Sequence, residues 1–207
     1  PFPCGGQSMK VCVYAIAKNE EKFVDRWVAS MREADCICVL DTGSEDKTVE
    51  KLADWGVIVK QEIVEPWRFD VARNRSMDLI PEDTDICVCT DLDEIFRPGW
   101  RQLLEEAWSA GTEQLRYTYI WNFNERGEPG TTFLYEKIHA PGVFEWEHPV
   151  HEVLRRTDGR RSWKKAEEPG IVLEHHPDTK KSRAGYLELL ELSVQEAPED
   201  DRKAHYL

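Results

Sequence analysis

Three carboxylates follow a short apolar run near the middle of the chain. Residues 86–89 are apolar, and after Thr90 the chain continues with Asp91, Asp93 and Glu94 within four positions. Such a run is typical of a strand buried on both faces of a parallel sheet, and these sheets bind ligands beyond the carboxyl ends of their strands. Carboxylate oxygens suit Mg²⁺ or Mn²⁺, whose coordination is usually completed by substrate phosphates. The sequence therefore predicts a metal site at Asp91 and Asp93. A solvated acidic turn is the alternative.

The elements that would position this site alternate between strands and helices. Asn19 and Ser44 are predicted to cap the first two helices, Gly56 to end the second, and Pro98 to begin a later one. Strands that alternate with helices are typical of a parallel sheet covered by helices. The prediction is an α/β fold with a doubly wound, mainly parallel sheet. Its predicted strands are residues 10–17, 36–40, 57–61 and 86–89.

The pattern changes after Gly111, where a smaller antiparallel part is predicted, followed by C-terminal helices. Leu187, Leu190 and Val194 lie on one stripe of a helix that begins near Ser182. The sequence ends within a second predicted helix, so we expect a longer native protein. The predicted antiparallel strands are residues 115–123, 132–139 and 150–155.

One domain is predicted over residues 9–178, with its two halves at 9–110 and 111–178. Residues 179–207 form the predicted helical part. Residues 1–8 are unlike the start of a strand, whereas Met9 directly precedes one. They are interpreted as a remnant that does not belong to the native chain.

The composition argues against two classes of partner. The chain has 40 acidic and 27 basic residues, which give a net charge of −13. This charge repels the phosphates of nucleic acids and of anionic membranes. No apolar run approaches the length of a bilayer span. We therefore predict no nucleic-acid partner and no transmembrane segment.

The cysteines lack the spacing of a metal or redox motif. No pair is separated by the two residues typical of a zinc ribbon or a thioredoxin-like site. Cys36 and Cys38, like Cys87 and Cys89, alternate within apolar runs, where a thiol packs as a small hydrophobe. The prediction is reduced thiols and a cytoplasmic location, in preference to zinc binding or disulfides.

Polar groups that follow three of the predicted strands should share one crevice. They lie in residues 17–20, 41–44 and 91–94. The first strand–helix turn has no glycine-rich loop, which argues against a dinucleotide-binding Rossmann site and a Walker-type NTPase. A metal ion could hold phosphates instead, and Arg73 could add a charge-assisted contact. Arg73 could equally lie on the surface of a helix.

Four segments of the chain carry a family resemblance. They are Ala-Ile-Ala-Lys-Asn-Glu-Glu at 15–21, Asp-Thr-Gly-Ser-Glu-Asp-Lys-Thr at 41–48, Phe-Asp-Val-Ala-Arg-Asn at 69–74 and Asp-Leu-Asp-Glu at 91–94. In this order and spacing they resemble the family 2 glycosyltransferases of the GT-A fold. Residues 150–152 and 173–176 resemble later motifs of a bacterial and phage branch of that family.

The resemblance implies a glycosyltransferase whose first half binds the nucleotide and whose second half binds the acceptor. It implies a nucleotide-sugar donor, with a UDP-hexose favoured, and a glycan, a peptide or a small molecule as acceptor. The implied nucleotide-binding residues are Ala15, Ala17 and Glu20 at the base and ribose, Asp41 as acceptor of a hydrogen bond from the base, Arg73 near the nucleotide, and Asp91.

The resemblance also implies that Mn²⁺ or Mg²⁺ bridges the diphosphate of the donor. Asp91 and Asp93 match the metal motif, with Asp93 as the direct ligand. Family members tend to supply a later histidine to the metal. His175 and His176 are the candidates, with His176 favoured.

The implied chemistry is an inverting transfer. One carboxylate deprotonates the acceptor, which attacks the anomeric carbon while the metal stabilises the departing diphosphate. In His151-Glu152, Glu152 is the nearest match to the base, although it could instead orient an acceptor hydroxyl or pair with Arg155. Glu94 is the next carboxylate to consider. The alternative to an enzyme is a non-catalytic nucleotide-sugar or carbohydrate-binding module on the same fold.

Overall fold

The computed structural model of the protein describes residues 9–178 and 185–198. The remnant predicted at residues 1–8 and the second C-terminal helix predicted after Pro198 lie outside these residues. Among the described residues, no helix is long and apolar enough to cross a bilayer.

The first half of the chain forms four parallel strands, as predicted. β1 lies at the centre and pairs with β2 on one side and with the later strand β4 on the other, while β3 pairs with the outer side of β2. Helices separate these strands and cover both faces, which is the doubly wound arrangement expected. The elements are β1 (Val11–Ala17), α1 (Glu21–Met31), β2 (Cys36–Asp41), α2 (Thr48–Asp54), β3 (Ile58–Gln61), α3 (Phe69–Met77) and β4 (Ile86–Cys89).

Four of the strands after β4 continue the same sheet. They extend the order to β3-β2-β1-β4-β7-β6-β10-β5, and β7 joins β4 in antiparallel register. β10 runs parallel to β6, and β5 pairs antiparallel with β10 at the far edge. The strands are β5 (Glu94–Phe96), β6 (Gln114–Ile120), β7 (Thr132–His139) and β10 (Lys165–His175), with α4 (Trp100–Ala107) following β5.

Two further elements flank this sheet. β8 (Phe144–Glu147) and β9 (Val153–Arg156) form a separate antiparallel hairpin, and α5 (Tyr186–Glu196) follows β10 in the chain. Arg68, which precedes α3, pairs with Glu196 at the end of α5, so the C-terminal helix is tied to the parallel half. The strand predicted at 150–155 corresponds to β9, which is shorter than expected and begins later, at Val153.

The core consists of two layers on opposite faces of the sheet. Val11, Val13 and Ala15 of β1 face α1, whose apolar side is fully inside, whereas Cys12 and Tyr14 face α3 and the β8–β9 hairpin. This alternation is the period-two pattern of a strand buried on both faces. The buried side of α1 consists of Phe23, Val24, Trp27, Val28 and Met31.

The predicted end of α2 at Gly56 is confirmed, whereas the predicted N-caps of the first two helices are wrong in detail. α1 begins at Glu21 after Glu20, and α2 begins at Thr48 after Lys47, three residues later than a cap at Ser44 requires. Asn19 has a left-handed φ of 57° and its side chain accepts a hydrogen bond from the Glu45 amide at 2.8 Å. The two loops after β1 and β2 are thus bonded to each other, which fixes the rim of the crevice.

Candidate active site

The loop after β2 is organised around Asp41. Asp41 is the last residue of β2 and is fully buried. Its Oδ1 accepts hydrogen bonds from the amides of Gly43 at 3.2 Å and Ser44 at 3.0 Å, and its Oδ2 accepts one from the Ser44 hydroxyl. Asp41, the residue predicted to bind the nucleotide base, is therefore at the expected strand end. Its carboxylate, however, already accepts hydrogen bonds from its own loop.

The other predicted nucleotide contacts of the first half lie beside this loop. Ala15 and Ala17 are buried in the core, at 0% and 3% exposure, so neither presents its side chain to a ligand. Glu20 lies at the start of α1, where its amide donates to the hydroxyl of Thr48 at 2.7 Å.

Arg73 joins the predicted metal motif to Glu152, the predicted general base. It lies on α3, is 4% exposed, and donates from Nη2 to Asp91 Oδ1 at 2.9 Å. Its Nε donates to Glu152 Oε1. Burial alone would lower the pKa of Arg73, but Asp91 and Glu152 outweigh that effect and raise it well above the ordinary value. Arg73 is therefore a buried ion-pair partner rather than a residue on a helix surface.

A second buried cation, Lys137 of β7, holds the other side of the acidic motif. Its Nζ lies 3.1 Å from Asp91 Oδ2 and 3.5 Å from Glu94 Oε1. Burial would raise the pKa of Asp91, but Arg73 and Lys137 lower it below the ordinary value, so the carboxylate stays ionised. Both oxygens of Asp91 are thus held by cations of the protein.

Glu94 lies beneath the motif and is 1% exposed. It accepts hydrogen bonds from the Asp91 amide at 2.8 Å and from the Tyr119 hydroxyl at 2.8 Å. Burial raises its pKa, with Lys137 opposing that rise. Because Glu94 is enclosed and already bonded, it positions Asp91 and is not placed to reach an acceptor.

The carboxylate of Asp93 faces a histidine of β10. His175 Nε2 lies 3.4 Å from Asp93 Oδ2, and the other ring nitrogen lies 3.0 Å from the Trp121 carbonyl oxygen. Ligand bonds of about 2.0–2.2 Å would allow one cation to contact both groups at this separation. Burial lowers the pKa of His175, but the hydrogen bonds with Asp93 and Trp121 outweigh it and raise the pKa.

His176 points elsewhere. Its ring stacks on Phe123, with centroids 5.0 Å apart, and its Nε2 lies 3.1 Å from Glu174 Oε2. Only its backbone touches the motif, through an amide that donates to the Asp93 carbonyl at 2.8 Å. The sequence interpretation favoured His176 as the metal-binding histidine, whereas the side chain that lies beside Asp93 is that of His175.

A cavity of about 520 Å³ opens beside these histidines. Lys22 and Arg26 of α1 contribute positive charge to its wall, and Phe23 and Phe123 contribute aromatic surface. The Arg26 guanidinium also donates to the His176 carbonyl at 2.9 Å. Lys22 is paired with Asp178, which also lines the cavity, so the wall carries both signs of charge.

His151 and Glu152 precede β9, which corrects the prediction that they lie within a strand at 150–155. His151 has a left-handed φ of 53° and an exposed side chain. Glu152 faces inward, with 12% of its side chain exposed, and pairs with Arg73. Arg155, the arginine considered as its partner, instead lies 3.7 Å from Glu147.

Sequence reasoning missed Lys137 and Tyr119. A signal for Lys137 was available, because residues 133, 135, 137 and 139 share one face of a strand. The other three are Phe133, Tyr135 and His139, so Lys137 had to lie among aromatic rings. A lysine in that position requires an acidic partner.

The fold and the site together define the chain as a glycosyltransferase domain of the GT-A type. The sequence model of "Glycosyl transferase family 2" matches residues 12–163, about three quarters of the chain. The chain belongs to this family, as its motifs indicated. The match ends before β10, so His175 and His176 lie beyond it.

Two solved structures are similar to this chain, and the first of them has the same fold. S. aureus TarS aligns with a TM-score of 0.56 and 14% identity, covering 91% of this chain and 39% of that one. Glucosyl-3-phosphoglycerate synthase from Mycobacterium tuberculosis, in complex with Mn²⁺, uridine diphosphate and glucosyl-3-phosphoglycerate, aligns with a TM-score of 0.46 and 24% identity, covering 54% and 44%. This chain thus spans less than half of the length of either protein. No curated protein sequence matches it.

Proposed function

We propose that this chain is the catalytic domain of an inverting, metal-dependent glycosyltransferase that uses a nucleotide-sugar, with a UDP-hexose as the favoured donor. The observation that carries the proposal is the pairing of Asp93 with His175 at the carboxyl ends of the sheet, within a domain of family 2. Ligands of open α/β sheets bind at this edge.

The donor set fits a hard divalent cation. Asp93 offers a carboxylate oxygen and His175 a ring nitrogen, 3.4 Å apart. In this proposal Mn²⁺ or Mg²⁺ would be held by these two side chains and by the donor diphosphate, with Asp91 beside it. The cation would stabilise the negative charge of the departing diphosphate. The metal-binding histidine proposed is therefore His175.

The chain's own residues would prepare the acceptor. Glu152 is proposed to take the proton of the attacking acceptor hydroxyl, while Arg73 holds its carboxylate in place. Arg73 and Lys137 together keep Asp91 ionised at the edge of the site. The cavity beside His175 would receive part of the donor or the acceptor, with Arg26 in its wall beside the Lys22–Asp178 ion pair.

Two measurements test this proposal. Calorimetry should show UDP binding that requires Mn²⁺ and is lost in Asp93→Ala, but retained in Asp83→Ala, whose carboxylate is exposed and paired with Lys10. Incubation with a panel of UDP-sugars and Mn²⁺ should show slow donor hydrolysis. Binding without hydrolysis or transfer would indicate the non-catalytic binding module instead. UDP binding that is equal with and without Mn²⁺, or unchanged in Asp93→Ala, would contradict the metal site.

A further inference from the structure

Three cysteine thiols meet on the face of the sheet that lies under α3. Cys12 of β1 is the register partner of Cys36 on β2, and Cys38 follows two residues later on the same face. The Cys38 sulfur lies 3.6 Å from that of Cys12 and 3.6 Å from that of Cys36. All three sulfur atoms lie within 4.8 Å of one another.

These distances match the space that one metal ion needs. Metal–thiolate bonds of about 2.3 Å place three sulfurs about 4 Å apart around a shared ion in a trigonal plane. Two of the separations are 3.6 Å and the third is at most 4.8 Å, so small side-chain rotations would bring all three sulfurs to bonding distance. Thiolates are soft ligands that select Cu⁺ and Zn²⁺ rather than Mg²⁺ or Mn²⁺.

The cluster is accessible from one side and has a potential fourth donor. Cys12 and Cys38 are fully buried, whereas Cys36 is partly exposed at the start of β2. The Leu79 carbonyl oxygen lies 3.3 Å from the Cys38 sulfur. Lys10 lies close enough to Cys36 to interact with its charge, which would offset part of the negative charge of thiolates.

Position separates this cluster from the candidate active site. Cys12 lies near the amino end of β1, whereas the crevice begins after Ala17. Five strand residues correspond to about 17 Å. An ion at the cysteines would therefore not serve the transfer reaction directly, and the inference does not depend on the proposed function.

We propose that Cys12, Cys36 and Cys38 bind one thiophilic d¹⁰ cation, Zn²⁺ or Cu⁺, that links β1 to β2 at the end of the sheet opposite the crevice. Binding releases thiol protons to solvent and replaces them by metal–sulfur bonds. No spacing motif marks this site, because its ligands come from two strands and such motifs describe ligands along one segment. The prediction against zinc binding rested on that spacing and on the packing of thiols within apolar runs.

The test measures metal binding by the folded protein after Cys4, which lies outside the described residues, has been replaced. In a Cys4→Ser background, reduced protein would be titrated anaerobically with Zn²⁺ and, separately, with Cu⁺, and Co²⁺ would report thiolate ligation by its charge-transfer absorption. One equivalent of one of these ions should bind and raise the melting temperature. Whichever of Zn²⁺ and Cu⁺ binds more tightly in competition with a chelator is identified as the cation of the site.

Matched variants separate the site from general thiol affinity. Cys36→Ala and Cys38→Ala should each weaken binding by at least 10-fold, whereas Cys87→Ala, a buried thiol on the same face, should bind as the parent does. Should Cys38→Ala fail to fold, the partly exposed Cys36→Ala still decides the question. The proposal would be overturned if none of the three ions bound stoichiometrically, or if Cys36→Ala bound them as tightly as the parent. A Cys12–Cys38 disulfide that persists under reducing conditions would also overturn it.

Discussion

The Nε of Arg73 bonds to the carboxylate of Glu152, 79 residues further along the chain. The same guanidinium bonds to Asp91 through Nη2 at 2.9 Å. One buried side chain therefore sets the separation between the acidic motif after β4 and the carboxylate proposed as the base. Asp91 and Glu152 lie far apart in the sequence, so this geometry exists only in the folded domain.

Glu152→Gln should keep donor binding but lower the transfer rate. The amide oxygen can still accept the hydrogen bond from Arg73, so the side chain stays in place but no longer takes a proton. General base assistance contributes about 10²–10⁴-fold, and a loss of that size is expected. Glu147→Gln, on the same hairpin and paired only loosely with Arg155, serves as the control and should transfer normally. A Glu152→Gln rate within a few-fold of the parent would assign the residue to orientation of the acceptor.

Arg73→Met should destabilise the domain strongly. The substitution leaves Glu152 without its cation and Asp91 with Lys137 alone, in a site where Arg73 is 4% exposed. Breaking a buried ion pair by removing one partner costs about 3–5 kcal/mol in the free energy of unfolding. Urea denaturation would measure this. Arg155→Met, which removes an exposed pair with its charges 3.7 Å apart, should change the free energy by less than about 0.5 kcal/mol. Similar effects of the two substitutions would mean that the buried network does not stabilise the fold.

Asp41→Ala should lower stability as well as nucleotide binding. A residue at a strand end would be expected to tolerate substitution, but this carboxylate is buried and accepts three hydrogen bonds from residues 43 and 44. Leaving such donors unpaired costs about 1–3 kcal/mol. Glu45→Ala, an exposed neighbour in the same loop, is the matched control. Unchanged unfolding of Asp41→Ala, together with lost UDP affinity, would instead make Asp41 a ligand contact with no structural role.

Acidification should destabilise the fold through His139. Burial lowers the pKa of His139 to about 4, and the ring lies 2.8 Å from the Tyr14 hydroxyl, which in turn accepts a hydrogen bond from Trp146. The unfolded pKa is about 6.5, so the folded state favours the neutral ring, and this contribution is complete above that value. It is lost as the pH falls from about 6.5 to about 4, by about 3 kcal/mol in all.

Urea denaturation at about pH 7 and about pH 4.5 would measure this loss. His139→Gln should reduce the difference between the two pH values, because its side chain does not titrate there. An identical pH dependence in His139→Gln and the parent would show that other groups cause the acid sensitivity.

The fold was largely predictable because its first half follows local rules. Strands β1, β2 and β4 are apolar runs, and the helix α1 between the first two has one apolar side. β5 was missed because it has three residues and its partner, β10, lies far along the chain. β10 was missed because it begins with charged residues and its register shifts between Glu168 and Val172, around a proline and a glycine.

The candidate site was predictable in its residue types but not in its pairings. Asp91 and Asp93 were recognised by their position after an apolar strand. Which residue each faces depends on tertiary packing, which brings Lys137 to Asp91 and His175 to Asp93. The roles of these residues in binding and catalysis stay predictions until the variants are measured.

The pairing of β5 with β10 determines when the site can form during synthesis. His175 is the register partner of Glu94, and the His176 amide bonds to the Asp93 carbonyl, so the acidic segment is fixed by residues made about eighty positions later. When the parallel strands have left the ribosome, the nascent chain already contains Asp93 but lacks the strand that orients it. Nucleotide binding by the proposed site therefore requires completion of β10, and the growing chain would remain inactive until then.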